Sequence, residues 1–240
     1  MAKLLYVMPV DTSAERVGRV HSFLKSLAVS DTEVDIISLP GGPPHLEYYE
    51  QDHEAITMMI ERIPATVNER EIDAVVIACF YDPGVRELRE MLDIPVIGIG
   101  EASMHLASLL GHRFSVLVGR KKWIPKMSDN ALLYGFDRRI TSWHSIECTV
   151  LGMQADPEAA FEAMVREGRS AVNDYRAEVL VLGCAAMENA APRLSALLGV
   201  PVVNPVVAGF KMAEVLGDLR CRTGLTISKA YDYERANTER

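Results

Sequence analysis

No stretch of this 240-residue chain approaches the roughly 20 uninterrupted apolar residues that a membrane-crossing helix requires. The N-terminal apolar run Leu4-Leu5-Tyr6-Val7 ends at Pro9 and Asp11. That is too short for the core of a signal peptide, and no small-residue cleavage site follows, so a cytoplasmic protein without a membrane partner is expected. Blocks of basic charge are also missing. The formal net charge is -8 with Lys and Arg scattered, which argues against a nucleic-acid partner because phosphate binding needs a basic face.

Cysteines are few, at 79, 148, 184 and 221, and none forms a C-x-x-C, so a zinc ribbon or redox motif is unsupported. In a reducing compartment they are thiols. His53-Glu54 and His144-Ser145-Ile146-Glu147 lack a second ligand at useful helical spacing and read as surface or loop polar groups, so no metal is expected. Gly98-Ile99-Gly100 before Glu101 lacks the third glycine of a dinucleotide fingerprint. With no phosphate-cradling loop and no lysine marked for a Schiff base, no cofactor is expected.

The composition that remains is 49% hydrophobic and 24% charged, enough apolar material to fill a core. The length suits two small lobes. Short β-branched runs alternate with helical segments. Strands are expected at 4–7, 34–39, 74–78, 95–99, 114–118, 179–183 and 201–203, with a weaker one at 144–151. Helices are expected at 14–28, after a Thr12-Ser13 cap, and near 50–69, 83–92, 122–134, 157–176 and 187–198. Continuous apolar strands separated by helices indicate parallel sheets covered on both faces. The expected fold is α/β, with two pseudo-symmetric lobes, each a parallel four-stranded sheet flanked by helices. The first lobe takes 1–105 plus 206–240 and the second 106–205, with the active site in the cleft between them.

The two halves also match locally. Val75-Val76-Ile77-Ala78-Cys79 aligns with Leu180-Val181-Leu182-Gly183-Cys184, and Ile94-Pro95-Val96-Ile97 with Val200-Pro201-Val202-Val203. Pro95 follows Cys79 by 16 positions and Pro201 follows Cys184 by 17. Two unrelated α/β units would explain matching strands but not a cysteine at the same place in both. Ligands of parallel sheets gather beyond the carboxyl ends of the strands, where both cysteines fall just ahead of a helix. A thiol near helix amides can exist in both protonation states at working pH, as an acid–base group must. Two such thiols on opposite sides of one carbon would remove a proton from one face and return it to the other. Taken singly, each cysteine better suits a core residue at a strand end.

At these residues the sequence resembles the Asp/Glu/hydantoin racemase superfamily, most closely its hydantoin and allantoin racemase branch. The resemblance is carried by Ile77-Ala78-Cys79-Phe80-Tyr81-Asp82-Pro83-Gly84, by Pro95-Val96-Ile97-Gly98-Ile99-Gly100-Glu101-Ala102, by Leu182-Gly183-Cys184-Ala185-Ala186-Met187 and by Gly224-Leu225-Thr226-Ile227-Ser228-Lys229. It implies an aspartate racemase-like fold, proton transfer without metal or cofactor, a small-molecule substrate and a homo-oligomer. It also implies substrate contacts from Pro9, Asp11, Thr12, Phe80, Tyr81, Val118, Gly119, Arg120, Ala185, Ala186 and Asn204. The presence of both cysteines argues against relatives that keep one, such as the decarboxylases.

Departures from the family pattern cluster where the substrate should sit. Met8-Pro9-Val10-Asp11-Thr12-Ser13 stands in place of Asn-Pro-Asn-Thr-Ser, and Val118-Gly119 in place of Thr-Thr. Gly is common at the position of Ala186, and Asp-Gly at that of Asn204-Pro205. A site without those polar groups should favour a differently shaped or more apolar acid. Arg120, Lys121, Lys122 and Trp123 are either a compensating lid or a solvated basic turn. Asp82 is expected to cap the helix starting at Pro83. Cys148 and Cys221 have no counterpart in the other half and read as structural. The expected activity is inversion of a carbon acid next to a carbonyl, a 5-substituted hydantoin or allantoin. The alternatives are an amino-acid (Asp/Glu-type) racemase, a single-cysteine isomerase, or a binding protein that kept the fold without turnover.

Overall fold

The apolar runs of the first half form β1 (Lys3–Val7), β2 (Glu33–Ile37), β3 (Ala74–Ile77) and β4 (Val96–Gly98). In the computed structural model, which describes residues 2–236, these strands are parallel in the order β2-β1-β3-β4. Val7 lies opposite both Ile37 and Ile77, and Ile77 opposite Gly98. Leu4, Leu5, Val7, Val75, Val76 and Ile77 are all fully buried, as both faces of a central parallel strand should be. The connections are α1 (Ala14–Leu27), α2 (Tyr49–Arg70) and α3 (Val85–Met91). Ser13 caps α1 by accepting the Arg16 N–H. Leu5, Val7, Met59, Ile63, Val75 and Leu88 belong to one core cluster beneath α2 and α3.

The second sheet repeats the plan with β5 (Phe114–Val118), β6 (Ile140–Ser145), β7 (Val179–Leu182) and β8 (Val202–Val203), parallel in the order β6-β5-β7-β8. Its helices are α4 (Ile99–Leu110), α5 (Ile124–Leu133), α6 (Val150–Ala155), α7 (Pro157–Asn173) and α8 (Ala191–Leu198), and α9 (Pro205–Thr223) comes after β8. The chain separates into one unit that runs to Gly98 and resumes at Gly209, and a second unit of Ile99–Ala208.

The repeat extends to single hydrogen bonds. Asp73 N–H donates to Lys3 O at 2.7 Å, and Glu178 N–H to Arg113 O at 3.1 Å. Both carboxylates reach back, accepting the Lys3 N–H at 2.9 Å and the Arg113 N–H at 3.4 Å. Val75 N–H meets Pro95 O and Leu180 N–H meets Pro201 O, each at 2.9 Å. Two positions before each acid, Glu71 and Arg176 take left-handed conformations, φ 54° and 57°.

Three features differ from the sequence reading. The strand expected at 144–151 lies at Ile140–Ser145, and Val150 already begins α6. Its inward face is polar. At a register shift between Phe114 and Val116, the fully buried Ser115 hydroxyl meets Thr141 Oγ1 at 2.6 Å and Ser142 Oγ at 2.7 Å. Hydroxyl pairs satisfy that face, so hydropathy does not mark it. His144, read as a surface or loop group, is buried in β6 between Ser142 Oγ (2.9 Å) and Glu167 Oε2 (3.4 Å). Finally, α4 and α9 have weak sequence signals. Buried residues run along most of Ile99–Ala107 and α4 follows β4 with no loop between them, so strand and helix merge in one run, and α9 opens on Pro205 and carries Gly209 and Gly217.

Candidate active site

Beyond β3, Ala78 N–H donates to Val7 O at 2.9 Å and the next residue, Cys79, emerges at the carboxyl edge of the first sheet. Beyond β7, Gly183 N–H donates to Leu117 O at 2.6 Å and Cys184 emerges at the same edge of the second. Each cysteine then heads a tight turn: Asp82 N–H returns to Cys79 O at 3.0 Å and Met187 N–H to Cys184 O at 3.1 Å. Both cysteines are half-buried, and none of the four is in a disulfide. This edge is where parallel sheets place ligands.

The two turns lead into different structures. Cys184 directly precedes a short 3-10 turn, Ala185–Ala190, that runs into α8. Cys79 is separated from α3 by Phe80–Gly84, in which Asp82 (φ 51°) and Gly84 (φ 70°) are both left-handed. Gly84, not Asp82, occupies the cap position of α3, and no side chain bonds there. Neither cysteine stands in the first turn of an α-helix: α3 begins six residues after Cys79, and α8 seven residues after Cys184.

Around Cys79 the first unit gathers the segment after β1. Pro9 and Met8 are buried, and Val10 packs with Cys79 and Tyr81 on the same core cluster. Asp11 is exposed, and its carboxylate accepts the Gly41 N–H at 3.1 Å while its own N–H donates to Pro43 O. Thr12 is half-buried and Phe80 is 2% exposed. Around Cys184 the second unit gathers Val118, fully buried, and the half-buried Gly119, Arg120, Ala185 and Ala186. Asn204 has its side chain engaged locally. Its Nδ2 donates to Glu188 O at 2.9 Å, and its Oδ1 accepts the Val206 and Val207 N–H groups at the start of α9.

Two loops at these edges are not among the expected site segments. The segment 39–43 reaches Val10 and Asp11 through its backbone. The segment 146–149 lies on Gly119: Cys148 N–H donates to Gly119 O at 2.8 Å, and a Cβ on Gly119 would come within 2.9 Å of Cys148 O. Cys148 therefore stands at the carboxyl edge of its sheet despite having no counterpart in the first repeat. The usable signal was positional, since every loop after a parallel strand opens on this edge. Among the described residues, no group of three or more His, Cys, Asp or Glu could hold a metal ion, and no helix is long and apolar enough to cross a membrane.

Comparison with known proteins identifies the family and supports the fold. Residues 5–213 match the family model described as Asp/Glu/Hydantoin racemase. The chain is 39% identical to a hydantoin racemase of Pseudomonas sp. (strain NS671), spanning 96% of this chain and 91% of the relative. It is 31% identical to the hydantoin racemase of Paenarthrobacter aurescens, spanning 97% of each. Among solved structures it resembles the allantoin racemase from Klebsiella pneumoniae with a TM-score of 0.90 at 29% identity, covering 100% of this chain and 95% of the other.

Proposed function

Because the chain belongs to the Asp/Glu/hydantoin racemase family, we propose that it inverts a five-membered cyclic ureide, a 5-substituted hydantoin or allantoin, with Cys79 and Cys184 as the two proton-transfer groups. The enzyme is an isomerase of the racemase type. The observation that carries the two-cysteine reading is the matched placement of both thiols. Each lies two residues past an inner strand, behind one backbone bond to the neighbouring strand and ahead of one three-residue turn. A core cysteine needs no such repetition.

In this mechanism one cysteine enters as thiolate and the other as thiol. The thiolate takes the proton from the stereogenic carbon, and the electron pair of the C–H bond moves into an enolate of the adjacent carbonyl. The second thiol delivers its proton to the opposite face of that carbon, and the enolate collapses to the inverted product. The two cysteines end with exchanged protonation states, so reverse turnover uses the same groups. Backbone amides of Phe80–Tyr81 and Ala185–Ala186, between each cysteine and its turn-closing N–H, are the donors assigned to the enolate oxygen. The ureide substrate is supported by the relatives named for hydantoin and allantoin. No cofactor takes part.

The test is incubation with single enantiomers of 5-substituted hydantoins, allantoin, aspartate and glutamate in D2O. NMR follows deuterium entry and chiral analysis follows inversion, with Cys79→Ser and Cys184→Ser alongside. Inversion with exchange, abolished by either serine, is expected for the ureides. Inversion of aspartate or glutamate alone would overturn the substrate, and full racemisation by either serine variant would overturn the cysteine pair.

A further inference from the structure

The Cys79 turn holds a buried carboxylate that the Cys184 turn lacks. Asp82 and Met187 occupy the same position, since each donates its N–H to the carbonyl of the cysteine three residues before it. Met187 is 1% exposed and packs into the core of its own unit. Asp82 is 8% exposed, and its side chain turns back across the end of β4 onto Gly98. Gly98 is the ladder partner of Ile77, the last residue of β3 before Ala78 and Cys79. A Cβ on Gly98 would overlap the Asp82 carboxylate, with Cγ and both oxygens the nearest atoms. Gly98 is not left-handed, so a glycine is needed there for space alone. Asp82 itself sits at φ 51°, a conformation that Asp, Asn and Gly tolerate and alanine resists.

We propose that Asp82 is a positioning residue for the Cys79 half of the reaction: seated on Gly98, its carboxylate fixes the 79–82 turn and with it the direction of the Cys79 thiol. A main-chain bond from Asp82 N–H closes that turn at Cys79 O. The contact with Gly98 is a second anchor, at the far end of the turn and on the neighbouring strand. In the second repeat the equivalent anchor is apolar, with Met187 plugged into the core. The two halves thus hold their thiols by different means, and the first is sensitive to the shape of residues 82 and 98 together. This inference rests on the two-cysteine reading.

The test compares Asp82→Gly, Gly98→Ala, the double variant Asp82→Gly/Gly98→Ala, and Asp82→Asn. Two quantities are read: kcat and KM on each enantiomer of a 5-substituted hydantoin, and the iodoacetamide alkylation rates of Cys79 and Cys184 resolved by mass spectrometry. Asp82→Gly keeps the backbone angle and removes the wedge, and Gly98→Ala keeps the wedge and removes its seat. Each should lower kcat by about tenfold or more with KM nearly unchanged, the loss expected for a reacting group moved by a fraction of an ångström. Each should also change Cys79 alkylation several-fold while that of Cys184, the internal standard, holds. The double variant should recover, because the methyl introduced at position 98 occupies the space the carboxylate vacates, and Asp82→Asn should keep most activity because its shape and φ tolerance match. Multiplied losses in the double variant would overturn the proposal. So would an unaltered Cys79 to Cys184 alkylation ratio in both singles, or a loss in Asp82→Asn as large as in Asp82→Gly. Alkylation needs no substrate, so failure of the two-cysteine mechanism, seen with the serine variants, is distinguishable from failure of this anchor.

Discussion

Gly183→Ala is a one-methyl change whose effect can be worked from the repeat. A Cβ at 183 would stand 2.8 Å from Leu117 O and 3.0 and 3.1 Å from the Cγ1 atoms of Val118 and Val116. Comfortable carbon contacts lie near 3.5 Å, so β7 must retreat from β5 by about half an ångström. The obstructing oxygen is backbone in a ladder and the valine methyls are stiff at χ1, so neither gives way easily. Overpacking of this kind costs about 1–3 kcal/mol. For a chain of this length, that corresponds to a fall in Tm of about 2–12 °C. The shift falls one residue before Cys184. A misplacement of about 1 Å costs about a hundredfold in rate, so half of that predicts a loss near tenfold in kcat.

The first repeat supplies the control. Ala78 already stands at the equivalent position, and its N–H lies 2.9 Å from Val7 O where Gly183 N–H lies 2.6 Å from Leu117 O. The methyl-bearing repeat has the longer bond, as close packing requires. Ala78→Gly should therefore change kcat by less than about twofold and stability by no more than about 1 kcal/mol, the ordinary cost of glycine in a strand. Thermal melts with single-enantiomer exchange in D2O would read both variants. A Gly183→Ala enzyme with parental Tm and parental exchange would refute the idea that close approach of β5 and β7 sets Cys184.

Three further outcomes are expected. Asn204→Ala removes the acceptor for the Val206 and Val207 N–H groups and the tie to Glu188 O; it should cost about 1–2 kcal/mol by denaturant melt and leave KM alone, whereas a raised KM at parental stability would make Asn204 a substrate contact. Burial, then the hydrogen bond and negative charge of Asp73, push the Cys221 thiol above its usual range. The folded state therefore holds that proton longer than the unfolded state, and this contribution to stability fades as pH rises past the usual thiol value. Cys221→Ser should flatten that part of the pH–stability curve without changing racemisation, and alkylation of Cys221 as the fastest of the four thiols would contradict the assignment. Lys229 Nζ donates to Arg89 O at 2.5 Å and Glu90 O at 2.8 Å, pinning the C-terminal strap to the end of α3. Lys229→Ala should speed chymotryptic cleavage at the 87%-exposed Tyr231, and an unchanged digestion rate would show that the strap is held elsewhere.

The fold class and the two cysteines are legible in the order of residues alone. Runs such as Val75–Ile77 and Val179–Leu182 are apolar on consecutive residues, as a strand covered on both faces requires, and the repeat puts a cysteine after each. Local chemistry likewise marks Ser13 as a cap. Whatever depends on a partner distant in the chain is hidden until the chain folds. The hydropathy pattern misplaces β6 because its half-buried hydroxyls are satisfied by Ser115, 26 and 27 residues away. Asp82 reads as a cap for the helix just ahead of it, yet its carboxylate lies against Gly98, and Gly84 takes the cap position. Asn204 is expected as a substrate contact, and only the folded chain shows that its side chain also ties α9 to the turn before α8. Cys148 carries no repeat partner and so no sequence signal, but the loop after its strand delivers it to the carboxyl edge of the sheet. Periodicity reports how a residue relates to its own element. Whether a polar atom is spent on structure or left for substrate is settled by which strands and helices stand beside it, and that is fixed only when the chain has closed.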